Sequence, residues 1–209
     1  MLKAIIFDVG GVLIRTQSRA GREKWATRFD MDSWEFENFV FNGESGRQAQ
    51  LGQKTFEQHW HWLGRHFNLS KAELAEMRRD FFAGDVLNEP LVAYIKRLRQ
   101  AGYRTGLLSN FADDARSLWQ SKFPFIQYFD GVIISLEVGM LKPDPQIYHL
   151  AAKSVGVKPE EALFVDDFIE NVEGARRAGM QAIHFSDPQV AQQQLAELTG
   201  VPLMNNEQK

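Results

Sequence analysis

Lys3-Ala4-Ile5-Ile6-Phe7-Asp8-Val9-Gly10-Gly11-Val12 is the stretch on which the reading of the fold turns. Its apolar run is continuous rather than alternating, the pattern of a strand covered on both faces. It delivers one carboxylate, Asp8, into a glycine turn. Four more runs share this character, at 104–108, 131–135, 162–165 and 181–185. Helical patterns separate the last four. Asn88-Glu89-Pro90 opens one with a cap residue and an early proline, and Gly102 closes it. Another runs from about Asp144 to Val155, a third follows Asn171 and stops at Gly179, and a fourth starts at Ser186-Asp187-Pro188. Strands alternating with helices predict an α/β fold, a parallel sheet flanked by helices. Such sheets bind ligands at the carboxyl ends of their strands.

The segment 16–87 breaks the rhythm. It contains no convincing strand. Ser70-Lys71-Ala72-Glu73 is a capping box, and Thr55-Phe56-Glu57-Gln58 is a second candidate. Phe56, Trp60, Leu63 and Phe67 fall on one face of a helix. The segment reads as a helical insert of about four helices, a cap placed after strand one. Residues 1–15 and 88–209 form the core domain. Trp25, Trp34, Trp60 and Trp62 lie in the insert and are expected to be its small core.

The bulk numbers narrow the classes. A chain of 209 residues suits one large domain or a core with a smaller insert. The net charge of -3 shows no basic stripe, so no nucleic acid is expected as partner. There is no cysteine, which excludes disulfides, thiol catalysis and zinc bound through sulfur. The first apolar stretch is too short for a signal peptide or a membrane span, so the expectation is a soluble cytoplasmic protein. The polar tail 205–209 is expected to fray. Oligomeric state has no signature in the sequence.

Four polar signals sit at the ends of predicted strands. They are Asp8, then Ser109-Asn110, then Lys142 within Gly139-Met140-Leu141-Lys142-Pro143-Asp144-Pro145, and finally Asp166-Asp167. Alone, each has an ordinary reading: a turn residue, a turn, a surface lysine, a helix cap. A parallel sheet would bring all four to one edge. An acid, a hydroxyl with an amide, a cation and an acidic pair can together hold a hard cation and a phosphate. A carboxylate nucleophile can form an aspartyl-phosphate. Lysine and magnesium can neutralise charge on a transferring phosphoryl group.

With these four motifs in order along the whole chain, the sequence resembles the haloacid dehalogenase superfamily. The insert resembles the helical cap of its first subclass. The resemblance implies a Rossmann-like core of strand order 5-4-1-2-3. It implies that Asp8 is nucleophile and Mg²⁺ ligand, with the backbone carbonyl of Gly10 as a second ligand. Ser109 would hydrogen-bond a phosphate oxygen, with Asn110 and Gly11 also at the substrate. Lys142 would pair with Asp8 and the phosphate. Asp167 aligns with the acid that binds metal directly, and Asp166 with a second ligand, direct or through water. Asn171 stands where many relatives carry an acid; it serves either the metal site or a helix cap. The substrate would be a small phosphorylated metabolite.

Position 10 is where phosphatases and mutases of the superfamily often carry a general acid. Glycine there can neither protonate a leaving oxygen nor activate water. Sugar-phosphate phosphatases, including one acting on α-glucose 1-phosphate, share that glycine. A better leaving group needs less help from an acid; otherwise Glu44, Arg47 or His59 in the cap, or water, would supply the proton. A 2-haloacid dehalogenase is disfavoured by the acidic pair Asp166-Asp167. A phosphonatase would need a cap lysine such as Lys24 or Lys54. A non-catalytic phosphate- or partner-binding protein is the remaining alternative. His59 and His61 lie two apart on a helix, too far round to share a metal. His184, in strand five, is read as a packed histidine.

Overall fold

The computed structural model describes residues 1–112 and 115–203; the tail from Asn205 lies outside them. In chain order its elements are β1 (Ala4–Phe7), β2 (Ile14–Thr16), α1 (Ala20–Arg28), α2 (Ser33–Asn42), α3 (Glu44–Gln50), α4 (Phe56–His66), α5 (Lys71–Phe81) and β3 (Asp85–Leu87). Then come α6 (Glu89–Gln100), β4 (Arg104–Ser109), α7 (Ala115–Ser121), β5 (Gly131–Ile134), α8 (Ser135–Val138) and α9 (Pro145–Ser154). The chain continues with β6 (Ala162–Asp166), α10 (Ile169–Arg177), β7 (Gln181–His184) and α11 (Pro188–Thr199).

Five strands form the main sheet in the order β5-β4-β1-β6-β7, every pair parallel. Counted among themselves and read from the β7 edge, they run 5-4-1-2-3. The labels are higher only because β2 and β3 form a separate antiparallel ribbon. Side chains alternate between the two faces of a strand. On one face Ile5, Phe7, Leu107, Leu163 and Val165 pack with residues of α6, α7 and α11. On the other, Ala4, Ile6, Leu108 and Phe164 pack with Ile147, Tyr148 and Ala175 of α9 and α10. Helices on both faces are the reason β1 reads as an unbroken apolar run. The predicted caps hold: Asn88 accepts from Leu91 N–H, and Asp187 from Gln189 and Val190 N–H.

Between β2 and β3 stand five helices rather than about four, and the insert is entered and left through strands. Both departures have local causes. α3 has seven residues and only one apolar side chain beyond the first turn, so no periodicity marks it. Each ribbon strand has three residues and pairs only with the other. The capping boxes at Ser70/Glu73 and Thr55/Gln58 are present, and Asp32/Glu35 forms a third. Trp25 and Trp60 are buried with Phe36, Leu63, Met77 and Phe81 in a core of their own. Each such side chain contributes roughly 1.5–3 kcal/mol by burial. Trp62 packs against this cluster, whereas Trp34 is 68% exposed and lies under the Arg19 guanidinium instead.

Arg22 ties the insert to its own exit. Its buried guanidinium meets Glu37 at 2.7 Å, Asp85 at 2.9 Å and the Phe81 carbonyl at 3.0 Å. A buried guanidinium is tolerated because each of its three nitrogens finds an acceptor. The ribbon closes tightly beside it. Gln17 N–H donates to Gly84 O at 2.8 Å, and a Cβ at position 84 would stand 1.8 Å from Ser18 O. Gly84→Ala is therefore expected to lower the urea unfolding free energy by about 1–3 kcal/mol. An unchanged unfolding midpoint would show that the ribbon yields freely.

Candidate active site

The first strand sets the position of the carboxylate. Asp8 follows β1, and its N–H donates to Val165 O at 2.9 Å, extending the parallel ladder by one residue. The chain then turns back: Leu13 and Ile14 N–H both donate to Val9 O, and Gly11 N–H donates to Ile14 O at 2.9 Å. Gly11 has φ +71°, and a Cβ there would lie 2.0 Å from Asp167 Oδ2. Its role is thus to have no side chain. Gly10 differs: a Cβ there meets nothing within 4 Å among the described residues.

Lys142 is carried on the turn between α8 and α9. Asn110 clamps that turn, accepting from Lys142 N–H at 2.8 Å and donating to Lys142 O at 3.1 Å. Asn110 therefore positions the lysine. Ser109, buried, closes β4 one residue earlier. The Lys142 ammonium lies 2.8 Å from Asp8 Oδ1 and 2.6 Å from Asp166 Oδ2. Burial alone would depress its pKa; the Asp166 and Asp8 carboxylates outweigh that and raise it, so the lysine stays charged.

The two adjacent acids are not equivalent. Asp166 is fully buried and bonded on every side. Its oxygens accept from Lys142, from Phe168 N–H at 2.8 Å, and from Asn171 Nδ2 at 3.1 and 3.2 Å. That uses the acceptor capacity of a carboxylate. Asp167 Oδ1 is buried and has no partner among the described residues. Asn171, read as either cap or metal-site residue, orients Asp166. Its own carbonyl accepts from the buried Tyr148 hydroxyl at 2.8 Å. His184 Nε2 lies 2.9 Å from Asp167 O. A carbonyl only accepts, so Nε2 carries the proton. His184 and Tyr148 thus support the acidic pair. The sequence signal for His184 was its register beside Asp166 in the neighbouring strand.

Oxygens of Asp8, Asp166 and Asp167 lie within 4.8 Å of one another. Three carboxylates share one ammonium. Burial raises the Asp8 pKa to about 6, Lys142 opposing and Asp166 adding to the shift. Burial, with the Asp8 and Asp166 charges, raises Asp167 to about 8. An unpartnered buried oxygen within excess negative charge fits a hard divalent cation with oxygen ligands. The histidines of the insert do not join this site. His59 is buried against Ser45, and burial, followed by Lys54, lowers its pKa to about 4, so it is neutral at pH 7. His61 faces Glu57 at 3.6 Å.

The family model for haloacid dehalogenase-like hydrolases matches residues 2–179, and the chain belongs to that family. A sesquiterpene phosphatase of Aspergillus oryzae is 28% identical over 200 residues, covering 95% of this chain and 97% of that protein. Bifunctional epoxide hydrolase 2 of Mus musculus is 30% identical over 217 residues, but the match covers only 39% of its length. A haloacid dehalogenase family enzyme of Bacteroides thetaiotaomicron, solved in complex with magnesium and inorganic phosphate, shares the fold with a TM-score of 0.69. It is 22% identical, over 88% of this chain and 94% of that one. No helix among the described residues is long and apolar enough to cross a membrane.

The charge excess predicts an unusual pH dependence. Asp8 and Asp167 titrate higher folded than unfolded, so between about pH 4 and 8 the folded state binds more protons. In chelator, stability is expected to fall as pH rises through that window. Magnesium should restore it, increasingly so at higher pH, because binding requires the ionised acids. Asp167→Asn should flatten the slope in chelator and weaken the magnesium effect. Melting temperatures at pH 5, 6.5 and 8 check this; a flat profile for the unsubstituted chain in chelator refutes it.

Proposed function

We propose that this hydrolase is a magnesium-dependent phosphatase acting on a small phosphate monoester through an aspartyl-phosphate on Asp8. The observation that carries the reading is the buried Lys142 ammonium 2.8 Å from Asp8, beside an Asp167 oxygen without a partner. The phosphatase among the relatives, and the Bacteroides fold neighbour holding magnesium and phosphate, support it.

In this mechanism an Asp8 oxygen forms a bond to phosphorus while the ester P–O bond breaks, and the leaving oxygen departs as the alkoxide and takes its proton from solvent water. Water then attacks the same phosphorus, releasing inorganic phosphate and the Asp8 carboxylate. Lys142 fixes the orientation of Asp8 and offsets charge on the transferring group. Ser109 donates its hydroxyl to a phosphate oxygen. Asp8, Asp167 and the Gly10 carbonyl would hold the magnesium ion, with Asp166 behind them, committed to Lys142. When bound, the ion supplies positive charge against the phosphoryl oxygens. Asp8→Asn should lower turnover by about three orders of magnitude or more while leaving the circular dichroism unchanged. Substantial residual turnover in that variant would exclude Asp8 as nucleophile.

Gly10 shapes the substrate class. With no acid at that position, the leaving oxygen departs with little protonic help. Anomeric sugar phosphates and aryl or acyl phosphates meet that requirement. The residues 16–87 act as the cap over this edge and set specificity. Because a Cβ at position 10 meets nothing within 4 Å among the described residues, Gly10→Asp should fold normally. It should raise rates on alkyl phosphates more than on aryl phosphates. Equal changes on both would disprove the leaving-group account. A screen of phosphorylated metabolites with magnesium identifies the substrate.

A further inference from the structure

A groove of about 650 Å³ lies between α4, α5 and the end of α7, and none of the residues assigned to phosphate chemistry lines it. Its apolar wall includes Trp60, Leu74 and Phe82. Lys71, Arg79 and Lys122 stand around it. Lys71 and Lys122 are exposed and form no ion pair among the described residues. The one acid in the lining, Glu57, is held by Arg78 at 2.7 Å and faces His61 at 3.6 Å. The groove therefore carries more positive than negative charge. Trp60 adds a second, independent observation. Its ring is 1% exposed, packed edge-on to Phe81 and Phe82, and its indole N–H has no acceptor among the described residues. Buried donors are ordinarily paired.

We propose that this groove binds a small anionic amphiphile, a molecule with one carboxylate or phosphate head and an apolar body. The volume is that of a small-molecule site rather than of a protein interface. The wall takes the apolar body. The head brings negative charge to cations that lack a partner. The site is separate from the catalytic edge and does not depend on the phosphatase reading.

Calorimetry on the full chain in chelator, with laurate, dodecyl phosphate, dodecanol and dodecylammonium as probes, tests it. Laurate or dodecyl phosphate should bind one per chain, about ten-fold or more tighter than dodecanol, and dodecylammonium not at all. The two acids compared show whether carboxylate or phosphate is the preferred head. The double variant Lys71→Glu, Lys122→Glu should weaken the acids about ten-fold while leaving p-nitrophenyl phosphate turnover unchanged. Trp60→Phe should weaken them several-fold; were it to unfold, the surface double variant still decides. Equal affinity for dodecanol and laurate, or no effect of charge reversal, overturns the proposal. So does dimerisation abolished by the same reversal without any binding of the acids, which would make a second copy of the chain the occupant.

Discussion

One ammonium group organises the catalytic edge. Lys142 Nζ is almost wholly shielded from water, 2.8 Å from Asp8 and 2.6 Å from Asp166. A buried ion pair of this kind adds little net stability, because desolvation offsets most of the attraction. What it supplies is position. For Lys142 to reach both acids, Asn110 must hold its backbone from the end of β4. Asp166 must be held by Asn171 and the Phe168 N–H at the start of α10, and Tyr148 of α9 must hold Asn171. Three strands and two helices are thereby locked in one register around a single charge.

The same arrangement divides the labour of the acidic pair. Asp166 spends its oxygens on Lys142, Asn171 and backbone, so its charge serves the lysine. Asp167, one residue on, points into the space that Gly11 leaves by lacking a Cβ, and keeps an oxygen unbonded. Burial raises the pKa of two of the three carboxylates, and the neighbouring acidic charges add to the shift. A divalent cation held among these oxygens would offset both the burial of their charge and their mutual repulsion.

The helical insert contributes differently. Its aromatic core is separate from those of the sheet, and Arg22 secures its entry and exit with three acceptors. It meets the sheet edge where the Ser135 hydroxyl donates to Gln50 O at 2.7 Å and where Phe56 packs near Phe111. Its buried His59 is neutral at pH 7, and Lys71, Arg78 and Arg79 line the groove beside Trp60.

Whereas α1, α2, α7 and α8 are not bounded in the sequence and α10 begins at Ile169, ahead of Asn171, the layered α/β class, the five strands, the starts of α4, α5, α6, α9 and α11 and the four motifs are legible there. These depend on local rules: unbroken apolar runs for doubly covered strands, capping residues, and glycines where φ is positive. The α3 helix and the β2–β3 ribbon escaped because seven and three residues are too few to show a period. Trp34 was misplaced because hydrophobicity alone does not say which aromatic ring a guanidinium will cover. Only the tertiary structure decided that Asp166 serves Lys142 while Asp167 keeps a free oxygen, that Asn110 holds the lysine turn, and that His184 and Tyr148 brace the acidic pair. The physical reason is distance along the chain. Asn110 and Lys142 are 32 residues apart, and Lys142 and Asp166 are 24 apart. Which oxygen is bonded and which is left over depends on where those segments meet in space.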